Sequence, residues 1–350
     1  MIKLSASRIS TAKKCSWTYW CKYVQKLPDT TNEGASRGTV CHLILELLCE
    51  ERHKATYDLI LSEKSVWASP AVKRLIYYHT RKLDIHSKEN LKLINNFILN
   101  GLNYDYFGTA LGAPSDSFSE KKFDISVNEN SKNYRINGLI DKLFIYSKKK
   151  LVLIRDFKAS KAIYKGADVS DNLQDLIYCL AVKHLYPENS NRKFEFVFLK
   201  FDLEDDLLGN PGEGVLRMKE LSASELEGFE YELTGIQEYL DHFSYDDATA
   251  NLAAKKGFPT DGSFSGRLAC GFASEPGQLK KDGTPMWHCP FKFAFDYWAL
   301  KNKEGEVIKT SYLDEKPMLE ELLKDGYFIE QMRYDGCPAW QTNVVDEFTL

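Results

Sequence analysis

No run of about 18 apolar residues occurs in the 350-residue chain, which excludes a membrane-spanning helix. The opening MIKLSASRIS lacks the apolar stretch of a secretory signal, so a cytoplasmic location is expected. Without export, Cys15, Cys21, Cys41, Cys49, Cys179, Cys270, Cys289 and Cys337 are expected as reduced thiols or metal ligands rather than disulfides. No internal repeat or low-complexity tract is present, and no Gly-x-x-x-x-Gly-Lys-Ser/Thr loop offers a cradle for nucleotide phosphates. Acidic residues are missing before Asp29, while Lys3, Arg8, Lys13, Lys14, Lys22 and Lys26 are there. Between Asp202 and Asp247 the balance reverses, so a net charge of −4 hides one end suited to a polyanion and a later stretch that repels one.

What remains is ordinary globular composition, 43% hydrophobic, at a length that suggests roughly two domains. Ser5 or Ser7 caps a first helix through residues 7–24, closed by Pro28-Asp29. A second helix covers 36–53, where Val40, Leu43, Ile44, Leu47 and Leu48 form an apolar stripe, and further helices cover 69–82 and 88–100. The period then changes, and 121–127, 134–146 and 151–157 read as three consecutive strands. Asn137-Gly138 is a hairpin signal, but placing the turn at NENSKN makes 134–146 one strand kinked at Gly138. A helix over 171–186, a strand over 193–201 and a long helix over 221–243 follow, and a hairpin of 293–300 with 307–313 is expected near the end.

The strand LVLIRDFK sets Asp156 and Lys158 two positions apart, on the face shared by Val152 and Ile154. A carboxylate buried there costs several kcal/mol unless it is paired or coordinates a metal. A structural ion pair and a reactive centre both answer that cost. The neighbouring strand repeats the anomaly, with Asp141 among Leu139, Leu143 and Ile145. Two acids and a lysine on adjacent strands can hold a divalent cation beside a phosphodiester, with Lys158 orienting the attacking water or stabilising developing charge. Lys161 and Lys165, just past the strand, are placed for phosphate contact, and Arg8, Lys13 and Lys14 interleave with Trp17, Tyr19, Trp20 and Tyr23. Those rings either stack on unpaired bases or belong to the core of an amphipathic helix, and for at least half of them the core is expected.

Five segments in order resemble the RecB-like branch of the PD-(D/E)xK nuclease superfamily: SASRISTAKKC, RGTVCHLILE, GLIDKL, IRDFKAS and LQDLIYCL. D-x-K alone is weak, but five elements each on its expected helix or strand are specific, over roughly residues 1–205. The resemblance implies an α/β restriction-endonuclease-like core, a central mixed sheet flanked by helices, in a nuclease domain over 1–245. An α+β extension of unassigned role covers 246–350. It implies Mg²⁺ or Mn²⁺ held by His42, Asp141, Asp156 and the Phe157 carbonyl, with Glu120 where relatives carry another acid. Lys158, Gln174 and Tyr178 would complete the catalytic group. The implied activity is hydrolysis of DNA, as a sequence-independent exonuclease in recombination, repair or phage DNA processing, in the host cytoplasm if phage-encoded. A recombinase, annealing protein or helicase would be its partner; no membrane is implied and the oligomeric state is left open. The competing class is a DNA-binding scaffold that keeps the fold without catalysis, although no expected catalytic residue is missing.

Relatives in that branch carry a [4Fe–4S] cluster on an N-terminal Cys and a C-x2-C-x5-C triplet. Cys15 fills the first place, but only the widely spaced Cys270, Cys289 and Cys337 follow. A [4Fe–4S] cluster on these four, or Zn²⁺ on some of Cys270, His288, Cys289 and Cys337, is therefore not favoured by the spacing.

Overall fold

The computed structural model describes residues 1–29, 32–160, 162–204, 210–255 and 269–341. They form two compact units, one of Met1–Ala6 with Thr31–Glu238 and one of Ser7–Thr30 with Tyr239–Leu350.

The first unit is mixed α/β. Its five-stranded sheet runs in the order β1 (Asp116–Glu129), β2 (Lys132–Tyr146), β3 (Leu151–Lys158), β4 (Asn191–Phe198), β5 (Val215–Arg217). All neighbours are antiparallel except β3 and β4, which are parallel and joined through the helix Leu173–Leu185. The β1–β2 turn falls at Asn130 and Ser131, with φ of 50° and 63°, the two positive values a tight hairpin requires. Gly138 is inside β2 as expected, and for a steric reason: a Cβ there would come within 2.5 Å of the Phe123 ring and 3.2 Å of Tyr178.

Alternation along β3 separates two environments. Phe157 and Val197 pack with Val40, Ile44 and Leu45 of the helix Glu33–Leu48, and with Val72, Ile76, Ile94 and Phe97 from the helices Pro70–Lys82 and Lys88–Asn103. On the other side Phe194 of β4 meets Tyr178 of the Leu173–Leu185 helix, ring centroids 6.1 Å apart. Helix starts are fixed by side chains: Asn32 accepts from Ala35 N–H, Ser87 from Asn90 N–H, and Asn172 from Gln174 and Asp175 N–H.

The second unit contains an antiparallel sheet in the order β7 (Val307–Tyr312), β6 (Phe295–Lys301), β8 (Phe328–Tyr334). The expected hairpin is β6–β7; β8, absent from the sequence reading, covers its open edge. Trp17, Cys21, Phe291, Tyr297 and Tyr334 are core here, with Trp17 Nε1 donating to Tyr334 Oη at 2.7 Å. The first helix is not continuous. It runs Ala6–Lys14, breaks at Cys15 in extended geometry (φ −158°, ψ 113°), and resumes at Ser16. The break turns Trp17 and Tyr19 into the core, so these aromatics are packing residues.

Candidate active site

Cross-strand register brings three carboxylates into one row. Ser119 pairs with Lys142 and Lys121 with Ile140, which sets Glu120 opposite Asp141. The β2–β3 ladder ends at Lys142↔Arg155, so Asp141 and Asp156 face each other where the two strands part. Into that opening the helix Glu33–Leu48 projects His42, whose Nδ1 lies 3.3 Å from Asp141 Oδ2. The same oxygen accepts the Phe157 N–H at 2.7 Å. Among the described residues, His42, Glu120 and Asp141 bring three potential ligand atoms within 4.8 Å of one another.

β3 contains two ion pairs of different character. Arg155, on the far face from Asp156, is fully buried and satisfied: Nε donates to Glu195 at 2.7 Å and Nη1 to the Asp105 carbonyl at 2.8 Å. Asp156 is also buried, and its Oδ2 lies 2.6 Å from Lys158 Nζ but off the angles of a hydrogen bond, leaving that oxygen without a hydrogen-bond partner. A buried carboxylate oxygen costs too much to leave unused. With Glu120, Asp141 and an imidazole beside it, this donor set fits a hard divalent cation.

The electrostatics agree. Burial pushes Asp156 above the usual carboxylate range and Asp141 adds to the rise, against Lys158. Burial and then Asp141 push Glu120 up to about 7. Burial works against the His42 imidazolium, but Asp141, Asp156 and Glu120 outweigh it and raise the ring to about 9. Burial likewise opposes charge on Lys158, yet Asp156 wins and its pKa is raised. Acids crowded this closely need positive charge, supplied by protons or by a metal.

Gln174, in the first turn after the Asn172 cap, ties the centre together. Its Oε1 accepts from Lys158 at 2.7 Å, while its Nε2 donates to Asp156 Oδ1 and to Tyr178 Oη, the latter at 3.1 Å. Tyr178 Oη in turn donates to the Leu139 carbonyl at 2.6 Å. The structure therefore gathers His42, Glu120, Asp141, Asp156, Phe157, Lys158, Gln174 and Tyr178. Glu46, the last residue of the RGTVCHLILE segment and one turn beyond His42, was given no site role from the sequence, yet it is close enough to raise the Glu120 pKa.

Not every expected residue joins them. Lys165 is exposed after β3, and Lys161 lies outside the described residues. Arg8, Lys13 and Lys14 belong to the second unit, where Arg8 stacks 4.7 Å from the Tyr23 ring.

In the second unit four cysteines that are widely spaced in the sequence come to one cavity. Cys15, Cys270, Cys289 and Cys337 line one cavity of about 260 Å³, walled by Trp17, Phe291 and Trp340. Topology, not spacing, converges them: Cys289 N–H donates to the Cys270 carbonyl at 3.0 Å, and buried Lys292 ties the two segments by donating to the Gly271 and Ala273 carbonyls at 3.0 and 2.7 Å. Burial raises the Cys289 thiol to about 11 and the Cys337 thiol to about 12. No three of the four sulfurs meet the 4.8 Å spacing found at His42, Glu120 and Asp141. They are therefore set wider than the about 3.8 Å that Zn–S bonds of a tetrahedral site impose.

Among the described residues no helix is long and apolar enough to cross a membrane. Among curated proteins, none matches the chain. Among solved structures it is similar to SSO0001, at 14% identity over 60% of this chain and 87% of that one, with a TM-score of 0.27. It is also similar to protein VC1899 from Vibrio cholerae, at 13% identity over 68% of this chain and 58% of that one, with a TM-score of 0.21. The family model of the PD-(D/E)XK nuclease superfamily matches residues 3–271, spanning the carboxylate row, His42 and Lys158, and the chain belongs to that superfamily.

Proposed function

We propose that the protein is a Mg²⁺- or Mn²⁺-dependent deoxyribonuclease of RecB-like type that trims DNA ends without regard to sequence. The observation that carries the reading is the row Glu120, Asp141, Asp156, closed by His42 on one side and Lys158 on the other. His42, Asp141, Asp156 and the Phe157 carbonyl would hold the ion, with Glu120 as a further ligand. Because imidazole favours first-row transition ions over Mg²⁺, Mn²⁺ should support the higher rate. A divalent ion supplies an acidified water and neutralises charge on the phosphate.

The chain's own groups do the rest. Lys158 keeps its proton beside Asp156, so it acts as a donor to the water or to developing negative charge and not as a base. Gln174 fixes the direction of that ammonium, and Tyr178 fixes Gln174. A nuclease domain over 1–245 with 246–350 as an extension is the proposed organisation; the centre's residues all belong to the unit of Met1–Ala6 with Thr31–Glu238. Ends exposed during recombination, repair or phage DNA processing are the proposed substrate, met beside a recombinase, annealing protein or helicase. The cysteine cavity supports a second cofactor, a [4Fe–4S] cluster on Cys15, Cys270, Cys289 and Cys337, which would staple the second unit. Iron and sulfide near four atoms each per chain in anaerobically purified protein would support it, and their absence would remove it.

Incubating end-labelled linear and closed circular DNA with Mg²⁺, Mn²⁺ or EDTA tests the activity. Linear DNA of any sequence should shorten from its ends while closed circles survive. Discrete products from closed circles would exclude end-dependent action, and no hydrolysis at all would exclude the nuclease.

A further inference from the structure

Two aromatic residues on bridged segments of the second unit, Phe272 and Trp287, are turned outward. Gly271 and His288 form an isolated antiparallel bridge, and Phe272 and Trp287 are the residues beside it on the two segments. Phe272 is 73% exposed and Trp287 59%, the most exposed phenylalanine and tryptophan among the described residues. The geometry is enforced by the backbone: Gly271 has φ +72°, and a Cβ there would lie 2.2 Å from the Trp287 carbonyl oxygen.

Beyond Trp287 the chain forms a small hairpin. Leu279 bridges Pro285, and Lys280 N–H donates to the Thr284 carbonyl at 2.8 Å. Lys280 and Lys281 sit exposed in its turn, and no ion pair engages either among the described residues. The acid beside them, Asp282, is occupied locally by Thr284, accepting its N–H at 2.9 Å and its hydroxyl at 2.6 Å. Glu275 is the other nearby carboxylate. Two exposed aromatic residues therefore flank a hairpin whose turn carries two exposed lysines that make no ion pair among the described residues.

Leaving that much aromatic surface in water is costly, and adjacent lysines do not cover it. Unpaired bases would: they stack on aromatic faces in any sequence while lysines take the phosphates. Duplex DNA hides its base faces and gains only the phosphate contacts. We propose that Phe272 and Trp287, with Lys280 and Lys281, form a binding platform for single-stranded DNA. This rests on the reading of the protein as a DNA nuclease, and it places part of the substrate contact outside the carboxylate centre.

Fluorescently labelled oligo-dT, the matching duplex and an abasic strand of equal length can be titrated with the full chain in EDTA, so that no hydrolysis competes. Phe272→Ala and Trp287→Ala should each weaken oligo-dT binding about tenfold and leave the abasic strand unaffected. Trp287→Phe should restore most of the loss. Lys280→Glu with Lys281→Glu should weaken all three DNAs and flatten the salt dependence. Unchanged oligo-dT affinity in the alanine variants overturns the platform, as does a change confined to oligomeric state in sedimentation, which would mark a protein contact. DNA hydrolysis by the wild type separates the two readings: if it persists while the variants bind normally, the platform alone fails.

Discussion

Glu120 faces Asp141 across the β1–β2 pair with its own backbone in the left-handed region, at φ 49°. A non-glycine residue costs of order 1 kcal/mol there, inside a strand where extended geometry is the rule. The strain buys a third carboxylate in the row. Glu120→Gly should therefore raise metal-free stability by about 1 kcal/mol, read as a higher Tm, while weakening Mn²⁺ binding by calorimetry. A lower Tm with unchanged Mn²⁺ affinity would show that Glu120 serves the fold alone.

Lys158→Ala should lower kcat on linear DNA by two orders of magnitude or more, with little change in DNA affinity, because its charge meets the transition state. Gln174→Ala should act in the same direction more weakly, since Lys158 remains but loses its 2.7 Å acceptor. Equal loss of binding and turnover would make Lys158 a phosphate anchor.

Arg155 offers the structural contrast one position from Asp156. Arg155→Met leaves buried Glu195 with only Arg217, at 3.8 Å, and should cost about 3–5 kcal/mol in denaturant unfolding. Arg155→Met with Glu195→Leu should recover most of that. If the double variant is no better than the single, the pair's worth lies in the Arg155 contacts to the Tyr104 and Asp105 carbonyls.

A pH dependence follows from Glu230, buried against β2. Burial opposes its charge, but hydrogen bonds from Lys183, Tyr134 and Lys132 outweigh that and lower its pKa to about 2. A pKa depressed on folding gives stability that is complete above the unfolded value near 4.5 and lost as pH falls toward 2. The Glu230→Gln variant should thus be less stable than wild type at pH 7, by a few kcal/mol at order of magnitude. The gap should close between pH 4.5 and 2. A gap independent of pH would contradict the assignment.

The sheet was legible because the apolar stretches 143–146 of β2 and 151–154 of β3 stand beside charged residues that include Asp141, Asp156 and Lys158, so pattern and anomaly coincide. Gln174 and Tyr178 were legible as one helical face. Glu120 could be placed only by resemblance, since nothing local announces a left-handed residue within a strand. The helix break at Cys15 was hidden because Lys14, Cys15 and Ser16 are ordinary helix residues, and tertiary packing of Trp17 overrides propensity. Convergence of Cys15 with Cys270, Cys289 and Cys337 depends on pairing between distant segments, which no spacing rule encodes. Strand β8 was missed for a similar reason: FIEQMRY alternates weakly, and it is β6 that makes it a strand.

The most direct test is the rate of Mg²⁺-dependent hydrolysis of linear DNA by Asp156→Asn against wild type, with Tm measured on the same samples. Asp156→Asn keeps the side chain's shape but removes the 2.6 Å ion pair with Lys158, so Tm should change little or fall modestly, while the rate falls by at least about a thousandfold because a proposed metal ligand is gone. A rate near wild type at unchanged Tm would contradict the claim that this row of carboxylates is the catalytic metal centre.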